Sequence, residues 1–175
     1  MGAPNPSFSF GLHQLVVTNI AGTTQVALPA ANRLMVKERL QTAEATGDDK
    51  IQAAGSTVLA ADWEMEVAGI SLEAKAIITG RTLTTSGATP NEVKSMTASG
   101  GEKMPFFKIY GKSLGEGDDD VHRLLYKCKL MEAPEETSQY GEFAGPTYKG
   151  IALDDGVNGI YDTVINETAD DLPGS

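Results

Sequence analysis

The stretch ADWEMEV, residues 61–67, alternates without a break. Asp62, Glu64 and Glu66 take every second place, and Trp63, Met65 and Val67 stand between them. In a β-strand successive side chains leave opposite faces of the sheet. The stretch therefore predicts a strand with one acidic face and one apolar face. The same period of two recurs along the chain. HQLVVTNI (13–20) is rich in β-branched residues, as strands are. RLMVKERLQTAEAT (33–46) sets Leu34, Val36 and Leu40 against Arg33, Lys37 and Arg39. DVHRLLYKCKLME (120–132) sets His122, Leu124, Tyr126, Cys128 and Leu130 against Val121, Arg123, Leu125, Lys127 and Lys129. NEVKSMTAS (91–99), MPFFKIYG (104–111), PTYKGIALD (146–154) and GIYDTVINE (159–167) are further strands. The last two flank DGVNG, a turn sequence that predicts a hairpin.

One segment departs from this period. ISLEAKAIITGR (70–81) offers Ser71 as a helix N-cap and Gly80 as a left-handed C-terminal stop. Good helix formers lie between them, with Leu72, Ala76 and Thr79 expected on one side and Ile77 and Ile78 beside them. The pattern is thus mainly β, with one short helix on a sheet. Stretches 46–57, 84–91, 97–105 and 112–120 are rich in Gly, Ser, Thr or Asp and are expected to be loops. Loops of such length are usually functional or disordered.

The charge distribution narrows the function. Residues 1–32 hold no Lys, Arg, Asp or Glu, and no basic residue follows Lys149. The first segment reads either as an uncharged arm that contacts another subunit or as the first strand of the domain's own sheet. Phe8, Phe10 and Leu12 alternate in it and are the candidate contacts, since interface cores favour aromatics and lack charge. Residues 33–175 complete what reads as a single domain. The formal net charge of −10 disfavours binding to nucleic acid or to anionic membranes. No apolar run reaches the ~18 residues of a membrane span. The N-terminus lacks the basic start of a secretory signal, so a soluble protein made in the cytoplasm is expected. Cys128 is the single cysteine and sits in a strand pattern, where a small core residue is expected.

The tests for chemistry are mostly negative. Acid–base catalysis by a carboxylate pair needs environments that separate the two pKa values. Asp62, Glu64 and Glu66 share one strand face and one environment. GEGDDD (115–120) lacks the spacing of an EF-hand calcium loop. His13 and His122 have no nucleophile arrangement around them, and no phosphate-cradling or dinucleotide fingerprint occurs. No catalytic residue, metal site or cofactor is expected. Assembly or binding fits better than catalysis.

The C-terminal third carries a likeness. FFKIYGKSLGEGDDDVHRLLYKCKLMEAP (106–134), GEFAGPTYKGIALDD (141–155) and NGIYDTVINETADDLP (158–173) resemble the major tail tube proteins of long-tailed, non-contractile bacteriophages. Upstream, LQTAEATGDDKIQAAG, a strand, then ISLEAKAIITGRTLTTSG follow the order of that family: strand, loop, strand, helix, TG turn. The likeness spans about residues 30–173. It rests on order and texture, and is most specific at Leu125–Lys127 followed by GEFAGP (141–146).

The resemblance implies a β-sandwich or split barrel of two packed sheets with a flanking helix. It implies stacked, hexameric rings forming the virion's tail tube, the conduit for double-stranded DNA into the host. Its partners would be further copies of the chain, a tape-measure protein, and tail-tip and terminator proteins, with no membrane involved. The inner tubes of contractile tails and of type VI secretion machines share this architecture and are the closest alternative. A β-sandwich binding module is more distant, because it wants an exposed aromatic platform.

Three expectations follow for the acidic row. Asp62, Glu64 and Glu66 line the lumen and keep DNA from adhering, or they pair with a basic strand face such as Arg123, Lys127 and Lys129, within a subunit or across an interface, or they form a merely solvated outer face. One or both of the segments 46–57 and 81–103 are expected to be mobile in the monomer and ordered in the tube.

Overall fold

The computed structural model describes residues 11–47, 50–115, 119–135 and 145–173. Ten strands and one helix follow in order: β1 (Leu12–Asn19), β2 (Gln25–Ala27), β3 (Ala31–Gly47), β4 (Lys50–Val67), α1 (Leu72–Thr79), β5 (Leu83–Ser86), β6 (Val93–Met96), β7 (Phe106–Leu114), β8 (Asp120–Glu132), β9 (Thr147–Ala152) and β10 (Tyr161–Asn166). The mainly-β fold with one short helix is as the sequence predicts. All pairings are antiparallel. The large sheet runs β2-β1-β7-β8-β9-β4-β3, with β10 joined to β8, and β5–β6 make a separate two-stranded ribbon.

The sheet forks at β8. One edge of β8 pairs with β7. The other edge is shared: Asp120–Leu125 pair with β10, and Cys128–Glu132 pair with β9. PTYKGIALD and GIYDTVINE are therefore not a hairpin, because each strand finds β8 instead of the other. At the fork Tyr126 and Lys127 stand together opposite Lys108, a β-bulge on β8. The bulge reverses the alternation predicted for this strand. Leu125 and Cys128, three residues apart, both enter the main core, while Leu124 packs with Val16, Tyr110 and Leu172 on the other side.

The main core lies inside the curl of the sheet. Ala61, Trp63, Met65 and Val67 of β4 are buried there, and Asp62, Glu64 and Glu66 point the other way. Trp63 meets the edge of the Phe107 ring, centroids 5.7 Å apart. It also lies across β9 at Gly150, its register partner. A Cβ on Gly150 would lie 2.5 Å from the indole and would strike the Lys129 carbonyl. Across the curl, Leu34 of β3 sits on Gly111 of β7, where a Cβ would lie 2.8 Å from Leu34 Cδ2.

Helix α1 closes one side of the curl. Ser71 Oγ accepts the Ala74 N–H at 3.2 Å, and Gly80, at φ 73°, donates its N–H to Ala76 O. Both caps are those predicted. The buried face is Ala74 and Ile78, one turn apart, with Thr79; of the expected Leu72–Ala76–Thr79 line only Thr79 is buried.

The stretch 46–57 corrects a second expectation. β3 runs on to Gly47 and β4 resumes at Lys50, so most of the expected loop is strand. Only residues 61–66 of β4 pair with β9, so the outer part of the β3–β4 ladder leaves the sheet as a two-stranded ribbon. Its residues 41–44 and 54–59 are exposed on both faces, and such a strand pair needs no apolar alternation, which is why this sequence looks like a loop. Leu40, predicted to face inward, is half exposed there, with Val58 opposite it and Leu59 beside it.

Gly150→Ala tests the crossing of Trp63 over β9. Overpacking against backbone and a rigid ring should cost about 3 kcal/mol or more of unfolding free energy, read from the denaturant midpoint. A loss below about 1 kcal/mol would show that the ring moves freely.

Candidate functional site

The acidic row lies on the outward face of β4, between β3 and β9. The cross-strand partner of Asp62 is Lys37, that of Glu64 is Met35 on one side and Lys149 on the other, and that of Glu66 is Arg33. The side chains reach diagonally. Arg39 Nη2 lies 2.6 Å from Asp62 Oδ1, and its Nε lies 3.4 Å from Oδ2. Arg33 stands 3.6 Å and Lys149 4.0 Å from Glu64. Among the described residues Glu66 makes no ion pair. The three carboxylates thus stand among Arg33, Lys37, Arg39 and Lys149, and this face is a ladder of mixed charge within one subunit.

The basic residues first paired with this row do other things. β9 lies between β4 and β8, which puts β8 two strand spacings, ~9.6 Å, from the row. Lys127 and Lys129 instead hold their ammonium groups 5.4 and 5.1 Å from the centroid of the Phe106 ring, in cation–π contact. Arg123 is exposed at an open mouth of the core, with Arg33, Leu34, Val36, Tyr161 and Thr163 around it. Tyr161 crosses that mouth to donate its hydroxyl hydrogen to Glu38 at 2.7 Å.

The candidate arm divides. Leu12 opens β1, pairs with Ser113 and packs against the chain's own main core. It is a first-strand residue and not a free contact. Phe8 and Phe10 lie outside the described residues, as does part of GEFAGP. Cys128 is buried, and desolvation pushes its thiol pKa well up, so it is an inert core residue. His13 is exposed on β1. Among the described residues no cluster of His, Cys, Asp and Glu could hold a metal, and no helix is long and apolar enough to cross a membrane.

A second polar group escaped the sequence. On the face of β7, β8 and β10 away from the main core, Lys112, Asp120 and His122 are buried. Lys112 Nζ stands 3.0 Å and His122 Nε2 3.2 Å from Asp120 Oδ2. Asn166 Nδ2 donates to Asp120 Oδ1 at 2.7 Å. The Asp170 N–H donates to Asp120 Oδ2 at 2.8 Å, and Lys112 donates to the Asp170 carbonyl. Burial acts to raise the pKa of Asp120, but these donors, with the Lys112 and His122 charges, outweigh it and hold the pKa at about 2. The C-terminal segment closes over the cluster, and Leu172 is buried beside it against Val16, Tyr110 and Leu124. The signal was present in the alternation, which places Asp120 and His122 on the face of Leu124. Nothing local marked that face as covered, because its cover is some fifty residues away in sequence.

A scan of the chain against protein-family models finds no match, and a search of curated proteins finds no relative.

The two polar groups should respond differently to mutation. Arg39→Ala, breaking an exposed pair, should cost less than ~1 kcal/mol. Asp120→Ala, stranding a buried ammonium, should cost roughly 3–5 kcal/mol in chemical denaturation. The Asp120 pKa is lower in the fold than in the unfolded chain. Its contribution is therefore complete above the unfolded carboxylate range near ~4 and falls away as the pH drops towards about 2. Acid titration of wild type and Asp120→Ala should show the two stabilities converging over that window.

Proposed function

We propose that the chain is a structural subunit that assembles with its own copies into the tail tube of a long-tailed bacteriophage. The observation that carries this reading is the open sheet. Among the described residues β3, 17 residues long, pairs only with β4, and β2 pairs only with β1. A long unpaired edge is a template for another chain unless something covers it. A curled antiparallel sheet, one helix at its side and a ladder running past the body accord with the order of elements that the sequence shares with tail tube proteins.

The lumen reading of Asp62, Glu64 and Glu66 takes a different physical form. A wall holding these carboxylates together with Arg33, Arg39 and Lys149 is close to neutral. It offers DNA, with one negative charge per ~1.7 Å of axis, neither a basic track nor strong repulsion. In this reading the row keeps DNA mobile by leaving its counterions in place.

Negative-stain electron microscopy across protein concentration and salt tests the assembly. Rings or tubes with an open central channel are expected, and compact monomers throughout, even with tail-tip extract added, would refute the reading. The triple variant Asp62→Asn, Glu64→Gln, Glu66→Gln loses only exposed pairs within its own subunit. It should fold and assemble like wild type, and the same micrographs would reveal a failure.

A further inference from the structure

The buried cluster around Asp120 holds three groups that chemistry can connect: an amine, a carboxamide and a carboxylate that touches both. Lys112 comes from β7, Asp120 from β8 and Asn166 from β10, three neighbouring strands. Lys112 Nζ stands 3.0 Å from Asp120 Oδ2, and Asn166 Nδ2 stands 2.7 Å from Asp120 Oδ1. The amine and the amide thus hang on the two oxygens of one fully buried carboxylate. A buried ion pair by itself is a poor source of stability, and it does not require a carboxamide on the second oxygen.

We propose that Lys112 and Asn166 become joined by an isopeptide bond, with Asp120 as the proton carrier and ammonia as the leaving group. A proton first passes from the Lys112 ammonium to Asp120 across their contact, leaving a neutral amine. The Nζ lone pair attacks Cγ of Asn166, and the carbonyl electrons move to Oδ1. Asp120 gives its proton to Nδ2, the nitrogen whose N–H its Oδ1 accepts in the resting fold. The oxyanion collapses, the Cγ–Nδ2 bond breaks, and ammonia departs. The surplus proton on Nζ returns to Asp120 and leaves with ammonia as ammonium. One N–C bond forms and one breaks; no oxidant, nucleotide or second substrate enters.

The surroundings favour each step. The first proton transfer has a direct path, the 3.0 Å contact between Lys112 Nζ and Asp120 Oδ2. His122 Nε2 stands 3.2 Å from the same carboxylate oxygen. The C-terminal segment, pinned by Asp170 and Leu172, covers Asp120 and Lys112 and limits water at the amine and the carboxylate, while Asn166 is partly buried. Tethering on one carboxylate supplies the proximity that makes amide exchange feasible without an external catalyst. Asp120 remains ionised at rest because its donors hold it so. The reactive neutral pair is therefore a minor state, and the bond forms once and slowly, after folding.

Mass spectrometry of the purified full-length chain, denatured, decides the matter. The expected mass is about 17 Da below that of the sequence, one ammonia lost. Trypsin should leave Lys112 uncut and yield residues 109–123 joined to 150–175. Lys112→Arg keeps the charge at this place, cannot form the bond, and should retain its full sequence mass. A wild-type chain of unchanged mass after prolonged incubation overturns the proposal. So does loss of ammonia with normal cleavage after Lys112, which marks Asn166 closing on its own backbone. Loss of about 18 Da, with Lys112 joined to Asp120, overturns it too, since water would then be the leaving group. The wild-type measurement stands even where a variant fails to fold.

Discussion

Strand β8 holds the molecule together because it is bonded along both edges to three partners. A straight strand could serve one layer on each side. The bulge at Tyr126–Lys127 lets β8 serve two wings, sending Leu125 and Cys128 into one core and leaving Leu124 for the other. The same local step separates β10 from β9 and opens the mouth where Arg123 and Tyr161 meet β3. The curl, the fork and the covered outer face all follow from how this one strand changes hands.

Much of this was legible in the sequence wherever one side of an element faced the core. ADWEMEV reads directly as burial of Trp63, Met65 and Val67, and Ser71 and Gly80 mark the helix ends to the residue. Legibility failed where the physics is not local. Residues 41–44 and 54–59 of the β3–β4 ladder meet water on both faces, so nothing forced them to alternate. The bulge in β8 is invisible to a period-two reading, which therefore placed Cys128 with Leu124. The connection DGVNG has good turn chemistry, with Asp155 accepting the backbone N–H groups of Val157, Asn158 and Gly159, yet the strands beside it pair elsewhere. Turn propensity fixes the corner and not the destination.

The charges follow the same division. An acidic stripe in one strand says nothing about its neighbours, and register decides whether it is a wall or a rung. Here β3 and β9 bring Arg33, Arg39 and Lys149 alongside, and the stripe is neutralised within the subunit. The buried polar cluster needed still more distant information: one residue each from β7, β10 and the C-terminal segment must surround Asp120 before its environment exists. The same long-range closure that hid this cluster from the sequence makes it the most chemically loaded place in the fold.

The strand order also sets a timetable. β3 and β4 are joined through a short connection and can zip as soon as they are made, whereas β1 must wait for β7, roughly ninety residues later, to receive its second neighbour. At a synthesis rate of about 5–20 residues per second, β1 stays incomplete for roughly 5–20 seconds on each nascent chain. During that interval its Leu-Val-Val run is exposed, as in other folds rich in distant pairings. A cell making this protein in quantity must shield those seconds, and the burden falls on whatever meets the chain as it leaves the ribosome.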